Sequence, residues 1–189
     1  MRIAVFASGA GTNFQAMVDD ARLKKHIKLL VCDHPLAGVL KRAKQAGVPY
    51  FSFKPKDYPN KEHFEQEILQ LLQKMKIDFI VLAGYMRLIG PVLLKAFDRR
   101  MINLHPSLLP NFPGKDAIGQ ALLARSDETG VTVHFVDQGM DTGEIIAQER
   151  VCIAKDDTKA TLTAKIHQVE HHFYKEVIKR YFLEKEDDL

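Results

Sequence analysis

The sequence predicts an α/β fold: a mostly parallel sheet with helices on both faces, an antiparallel hairpin toward the C-terminal side, and a long C-terminal helix. Three observations carry that prediction. Strand-like and helix-like segments alternate through the first half of the chain, the rhythm of repeated βα units. The run Phe79–Ala83 is apolar almost without interruption, the mark of a strand buried on both faces. Later, Gly130–Val136 alternates strictly, with Val131, Val133 and Phe135 facing one way and Thr132 and His134 the other. Glu144–Ile153 reads as its antiparallel partner across a turn at Gly139–Gly143.

The other elements follow in order. Ile3–Ala7 is a first strand, Asn13–Lys24 an amphipathic helix and Ile27–Cys32 a second strand. Leu36–Ala46 predicts a helix closed by Gly47, a residue suited to the left-handed position that ends helices. A short strand at Tyr50–Phe53 leads to a helix over Asn60–Lys74. Phe64, Ile68, Leu71 and Leu72 recur there at helical spacing, and Asn60 is a natural N-cap. After Phe79–Ala83 come a short helix from Pro91 and a strand at Met101–Leu104. Pro106, Pro110, Pro113 and Gly114 mark an irregular loop before a helix around Ala117–Ala124, and Thr158–Leu183 forms the terminal helix. No repeat, low-complexity stretch or linker interrupts the chain, so a single domain over 1–189 is expected.

Composition narrows the function classes. Hydrophobic residues make up 46% and charged residues 27%, ordinary values for a globular protein. The formal net charge is only +3. Lysines cluster modestly at Lys24–Lys28 and Lys54–Lys61, and the tail Glu184–Asp188 is acidic. A basic stripe interleaved with aromatics is missing, which argues against a nucleic-acid partner. Every apolar run falls short of the roughly 20 residues a membrane span needs. Met1–Ala7 passes directly into Gly9, Gly11 and Asn13 with no signal-peptide pattern. A cytoplasmic protein without membrane attachment is expected, and Cys32 and Cys152, both in apolar strand-like segments, read as buried free thiols. Oligomeric state is left open, a homodimer included.

Four segments could carry chemistry. Ser8-Gly9-Ala10-Gly11-Thr12-Asn13 lies between a strand and a helix, where free N–H groups and the helix dipole attract anions. Two glycines with hydroxyl and amide side chains favour a phosphate site over a plain turn. A dinucleotide fingerprint would want glycine where Phe14 stands, which weighs against an NAD enzyme despite the well-spaced Asp33. The second segment is Asn103-Leu104-His105-Pro106-Ser107, leaving the C-terminal end of a strand. Residues two apart point the same way in extended chain, so Asn103 and His105 project together. An amide beside an imidazole suits acyl transfer. A surface His and a capping Asn is the bland alternative.

The third segment, Asp137-Gln138-Gly139-Met140-Asp141-Thr142-Gly143, reads by itself as an acidic hairpin turn. Its Asp-Thr-Gly triplet is that of aspartic proteases, but the chain has no second copy and the wrong fold class. The fourth, His167-Gln168-Val169-Glu170-His171, matches an H-x-x-E-H zinc pattern. Zinc needs a third ligand, and only Glu176, Glu184 and Glu186 follow. A solvated helix face outweighs a metal site, and a substrate contact by Glu170 is the third reading.

Together these segments resemble the phosphoribosylglycinamide formyltransferase family, folate-dependent enzymes of purine biosynthesis. The resemblance runs through Ala7–Ala16, Val81–Ile89, Met101–Gly114, Gly130–Ile146 and His167–Tyr174. Asn103-Leu104-His105-Pro106-Ser107 with Asp141 downstream marks the wider formyl-folate transferase and hydrolase superfamily. Gly11-Thr12-Asn13 and the Glu170 region narrow it to the glycinamide branch.

The resemblance implies a Rossmann-like, doubly wound fold. It implies that Gly11, Thr12 and Asn13 bind the phosphate of glycinamide ribonucleotide, and that Glu170, with neighbours from His167 onward, contacts the glycinamide part. Met86, Arg87, Leu88 and Ile89, with Asp137, Met140 and Asp141, would hold the pterin of the cosubstrate 10-formyltetrahydrofolate. Asn103, His105 and Asp141 would be catalytic, Asn103 also touching the folate, and no metal would be needed. Two positions depart from the family. Lys61 stands where an Arg often touches the folate tail, and it lacks the bidentate fork. Lys115-Asp116-Ala117-Ile118 replaces a segment that often contains histidine.

The implied reaction is direct attack of the substrate amine on the formyl carbon through a tetrahedral intermediate. Asn103 would bind its oxygen, His105 would help protonate the leaving N10, and Asp141 would stabilise the imidazolium and orient a water. A formyltetrahydrofolate hydrolase shares the trio but usually carries an extra N-terminal domain, and a first strand at residue 2 is expected to exclude it. A methionyl-tRNA formyltransferase needs a C-terminal RNA-binding domain and is set aside likewise. A non-catalytic nucleotide- or folate-binding module is the alternative from another class.

Overall fold

The computed structural model describes residues 1–183. Among them are seven strands: β1 (Ile3–Ala7), β2 (Ile27–Cys32), β3 (Tyr50–Ser52), β4 (Phe79–Leu82), β5 (Met101–His105), β6 (Glu128–Phe135) and β7 (Ile145–Cys152). They are hydrogen-bonded in the order β3-β2-β1-β4-β5-β6-β7, the mostly parallel α/β arrangement with a closing antiparallel hairpin that the sequence predicts. Two compact units divide the chain inside β5, Met1–Ile102 and Asn103 onward.

In the first unit β1 pairs in parallel with both β2 and β4, and β2 pairs in parallel with β3. Every residue of β1 and β4 is buried, as their unbroken apolar runs require. The strand order reverses at β1, so the loops leaving β1 and β4 meet at the C-terminal edge of the sheet. Such a reversal is where open α/β sheets bind ligands. The helices are α1 (Thr12–Asp19), α2 (Ala21–Lys24), α3 (Gly38–Ala46), α4 (Lys61–Lys74) and α5 (Pro91–Ala96). Asn60 caps α4 by accepting the His63 N–H, and Gly47 ends α3 with φ 71°, both as expected.

Sequence and structure part in places. The helix expected over Asn13–Lys24 is two, because Asp20 turns extended and its carboxylate accepts the N–H groups of Arg22 and Leu23, capping α2. Helix α3 begins at Gly38 rather than Leu36, since Ala37 is extended. Cys32 is buried and Cys152 exposed, and neither forms a disulfide, so burial of both thiols was half right.

In the second unit β6 and β7 run antiparallel from Glu128↔Cys152 to His134↔Ile145, with a register shift between Val133 and His134. Helix α6 spans Ala117–Leu123. Helix α7 (Lys159–Ile178) opens with a capping box between Thr158 and Thr161. Asp157 accepts from Ala154 N, Thr161 Oγ1 and Lys165 Nζ, and these bonds hold its carboxyl down at about 2. The α-helix ends at Ile178 and continues as a π-helical turn over Lys179–Leu183, not as straight α-helix to Leu183. The acidic tail, with Glu184 and Glu186, lies outside the described residues. Among those described, no helix is long and apolar enough to cross a membrane.

The hairpin depends on one close approach. A Cβ on Gly143 would overlap the Phe135 carbonyl oxygen, so alanine there must push the strand ends apart. We expect Gly143→Ala to cost about 1–3 kcal/mol, the usual penalty of overpacking. Urea unfolding would show a lowered midpoint at unchanged slope. A wild-type midpoint would mean the hairpin absorbs the methyl group.

Candidate active site

In the first unit, the loop after β1 ends at Gly11, which has φ 75° and is the N-cap residue of α1. A Cβ at Gly11 would overlap the Val39 side chain, so glycine serves both the backbone turn and the packing of α3. Arg42 braces the loop from α3 by donating to the Ala10 carbonyl at 2.8 Å and to Gln15 Oε1 at 3.2 Å. The sequence reading passed over Arg42; a basic residue on the helix packed against a glycine loop was the available signal. Thr12 and Asn13 form the first turn of α1, at the positive end of the helix dipole. The arrangement can take an anion.

The loop after β4 carries Met86, Arg87, Leu88 and Ile89. Ser8 joins the two loops: its N–H donates to the Gly84 carbonyl at 3.0 Å, and its Oγ accepts the Met86 N–H at 2.9 Å. Arg87 Nε pairs with Asp33 Oδ2 at 2.7 Å, which commits that acid to the loop. Met86 is 78% exposed and Leu88 49%, an apolar edge presented to solvent, while Ile89 is buried. Lys61 Nζ donates to the Leu88 carbonyl at 2.9 Å.

In the second unit, β5 delivers Asn103 and His105, and the hairpin delivers Asp141. His105 is only 4% exposed, which rules out the surface-histidine reading. Its Nδ1 lies 3.3 Å from Asp141 Oδ2, and Asn103 Nδ2 lies 3.4 Å from Asp141 Oδ1. Asn103 and His105 thus project together, as the alternation along β5 predicts, and both reach Asp141. Asp141 adopts φ 57°, a left-handed conformation that aims its carboxylate back from the turn. The Gly114 N–H donates to Asp141 Oδ2 at 2.8 Å. Nε2 of His105 contacts the Phe112 carbonyl at 2.9 Å, so that nitrogen carries a hydrogen.

A fourth member, His134, was missed. Its Nε2 lies 3.3 Å from Asn103 Nδ2 and 3.6 Å from Asp141 Oδ1, and its Nδ1 contacts the Phe135 carbonyl at 2.8 Å. The signal was present: Thr132 and His134 share one face of β6, and both turn out buried. Thr132 Oγ1 donates to the Ser107 carbonyl at 2.6 Å and accepts the Leu109 N–H at 3.1 Å. Gln148 Nε2 adds a bond to the Leu109 carbonyl at 2.8 Å. The polar face of the hairpin thus holds the proline-rich loop after β5. Ser107 Oγ is turned to the Asn111 carbonyl at 2.6 Å, in keeping with a structural rather than nucleophilic serine.

Burial works to raise the Asp141 pKa. The hydrogen bond from His134, the Gly114 amide and the charges of His105 and His134 outweigh it, and the carboxyl ends below its ordinary range. Asp137 is occupied locally, its Oδ1 accepting from Gly139 N at 3.0 Å and Thr142 Oγ1 at 2.7 Å. Met140 is half-exposed.

On α7, Glu170 is buried beside Tyr174 on the stripe Leu162, Ile166, Glu170, Tyr174, so the helix face carrying it is not the solvated one expected. His167 is exposed, and its ring stacks on His171 with centroids 6.2 Å apart. Among the described residues no group of three or more His, Cys, Asp or Glu converges as a metal site.

Comparison with known proteins bears on this geometry. Over residues 1–178 the chain matches the family described as formyl transferase. It is 51% identical to the phosphoribosylglycinamide formyltransferase of Bacillus subtilis (strain 168), over 95% of this chain and 93% of that protein. It is similar to the solved structure of glycinamide ribonucleotide transformylase 1 from Geobacillus kaustophilus, at 57% identity and TM-score 0.92, covering 95% of this chain and 97% of that one. The phosphoribosylglycinamide formyltransferase from Bacillus halodurans matches at 49% identity and TM-score 0.93, covering 97% and 96%.

The ionic cluster has a consequence for acid stability. A carboxyl whose folded pKa is depressed stabilises the fold above its unfolded pKa, and the benefit disappears as pH falls through the folded value. We expect wild type to lose more stability than Asp141→Asn as pH drops from about 5 to below about 3, around the unfolded value near 3.9. Urea unfolding of both proteins across that range measures it. Parallel pH curves would show that the cluster does not hold Asp141 ionised.

Proposed function

The chain belongs to the formyl transferase family, and from that premise we propose that it transfers the formyl group of 10-formyltetrahydrofolate to the amine of glycinamide ribonucleotide. The observation that carries the reading is the meeting of Asn103, His105 and Asp141 within 3.4 Å of one another's polar atoms along the chain of contacts through Asp141. The family match across residues 1–178 supports treating both compact units as parts of one formyltransferase domain.

The residues fit the two substrates. Gly11, Thr12 and Asn13 offer N–H groups and a helix terminus to the ribosyl phosphate. Glu170, with His167 nearby on α7, offers a carboxylate for the glycinamide portion. The apolar edge at Met86 and Leu88, backed by tethered main chain through Ile89, suits a flat heteroaromatic ring that also needs main-chain hydrogen bonds. The family resemblance gives the folate Arg87 on the same loop and, in the second unit, Asp137, Met140 and Asp141, and it assigns no metal.

The formyl donor supplies an acyl carbon activated by attachment to N10. Asn103 Nδ2 stabilises negative charge as it develops on the formyl oxygen. His105 keeps its Nε2 hydrogen on the Phe112 carbonyl and faces Asp141 loosely through Nδ1, so Nδ1 is the edge that exchanges a proton with the leaving nitrogen. Asp141, held ionised by its surroundings, steadies the imidazolium and takes the amine proton through a water. The substrate amine is the nucleophile, so Ser107 has no covalent part.

A spectrophotometric assay with 10-formyltetrahydrofolate, run with and without glycinamide ribonucleotide, tests the proposal. We expect deformylation only when the amine is present, and a kcat about 10²–10⁴-fold lower in His105→Ala. Deformylation indifferent to the amine would make the protein a hydrolase. Tight folate binding without turnover would make it a binding module.

A further inference from the structure

Lys61 and Glu65 stand one turn apart on α4 and reach the same stretch of the loop after β4. Lys61 Nζ donates to the Leu88 carbonyl at 2.9 Å. Glu65, only 2% exposed, accepts the Gly90 N–H on Oε1 at 2.5 Å. A Cβ on Gly90 would lie 2.6 and 2.9 Å from the two Glu65 oxygens and 2.7 Å from Lys61 Cδ, so it is glycine that lets α4 close on the loop. Burial pushes the Glu65 carboxyl up, and the Gly90 N–H, the Lys61 charge and the amides of Leu93 and Val92 pull it partly back. With Ser8 on Met86 and Asp33 on Arg87, residues 86, 87, 88 and 90 are each tied to a side chain from elsewhere in the first unit.

We propose that Lys61 is a positioning residue for the pterin-binding loop, acting through the Leu88 carbonyl alongside Glu65 on Gly90, rather than a contact for the carboxylate tail of the folate. The inference rests on the proposed formyl transfer and corrects one role that the family resemblance implies. An ammonium is a point charge with rotatable donors, well suited to one carbonyl but without the planar fork that grips a carboxylate. Freed from Lys61, the loop must be ordered when the pterin binds, and that ordering weakens affinity for the ring whatever tail it carries.

The experiment compares two donors, 10-formyltetrahydrofolate and 10-formyltetrahydropteroate, which lacks the glutamate tail. For Lys61→Met we expect the donor KM to rise about 3–10-fold, the worth of one hydrogen bond. The rise should be equal for both donors, with kcat and the KM for the amine substrate within about twofold of wild type, since the chemical trio is untouched. Lys61→Arg, which can still donate to Leu88, should restore the wild-type KM for the tail-less donor. A penalty seen with the full folate but absent with the tail-less donor overturns the proposal in favour of tail binding, and no penalty with either donor overturns it outright. Calorimetric Kd values for the two donors, measured without the amine, separate this idea from the functional one. Binding of both donors without transfer sinks the formyl-transfer reading and leaves the Lys61 comparison intact; binding of neither overturns both.

Discussion

The second unit is organised around a carboxylate withdrawn from water. Asp141 is reached by the Gly114 amide, by the Asn103 side chain and by two imidazoles. A buried ion with fewer partners would take up a proton instead of staying charged. The surrounding structure can be understood as the means of delivering those partners. The left-handed turn at Asp141 aims the carboxylate, the close approach at Gly143 shapes the hairpin end, and the loop after β5 brings Gly114 into reach. That loop is itself secured from β6 and β7 by Thr132 and Gln148. Polar groups in β6 therefore act on the chemistry at one remove.

The first unit meets a different constraint. Strands buried on both faces leave their polar work to the loops at the sheet edge, and the order reversal at β1 sets two such loops side by side. A loop that binds a ligand mainly with its main chain has to be stiff, because main-chain groups have no rotamers with which to adjust. Side chains rooted in regular elements or beside them tether this loop: Ser8 after β1, Asp33 after β2, Lys61 and Glu65 on α4. The exposed apolar side chains of Met86 and Leu88 sit on that tethered backbone.

Much of this was legible in the sequence where a pattern has a local cause. Alternation in Gly130–Val136 and the unbroken apolar run Phe79–Ala83 located β6 and β4. The spacing of Asn103 and His105 placed both on one side of β5. The break at Asp20 was not legible from apolar periodicity, because a carboxylate cap overrides an amphipathic pattern that would otherwise continue. Burial of Glu170 and exposure of Cys152 depend on what packs against α7 and β7, and spacing alone does not report that. His134 escaped because its partners are 31 and 7 residues away in sequence and meet it only when strand and hairpin pair. Lys61 was noticed for what it lacks relative to arginine; its bond to Leu88 needed the α4–loop contact to be seen.

The ionised Asp141 also settles which end of the Asn103 amide faces it. Its Oδ1 is an acceptor 3.4 Å from the amide nitrogen, so the NH₂ end turns toward it, and the carbonyl, which would set oxygen against oxygen, is excluded. His134 stands on the same side, with Nε2 3.3 Å from that nitrogen and 3.6 Å from the same carboxylate oxygen. Its hydrogen bond to Asp141 adds to what holds the carboxyl below its ordinary range. An amide nitrogen has two hydrogens, and one is enough for the carboxylate. In the proposed reaction the second is the one that serves the formyl oxygen, so the carboxylate and its histidine orient that donor without touching substrate.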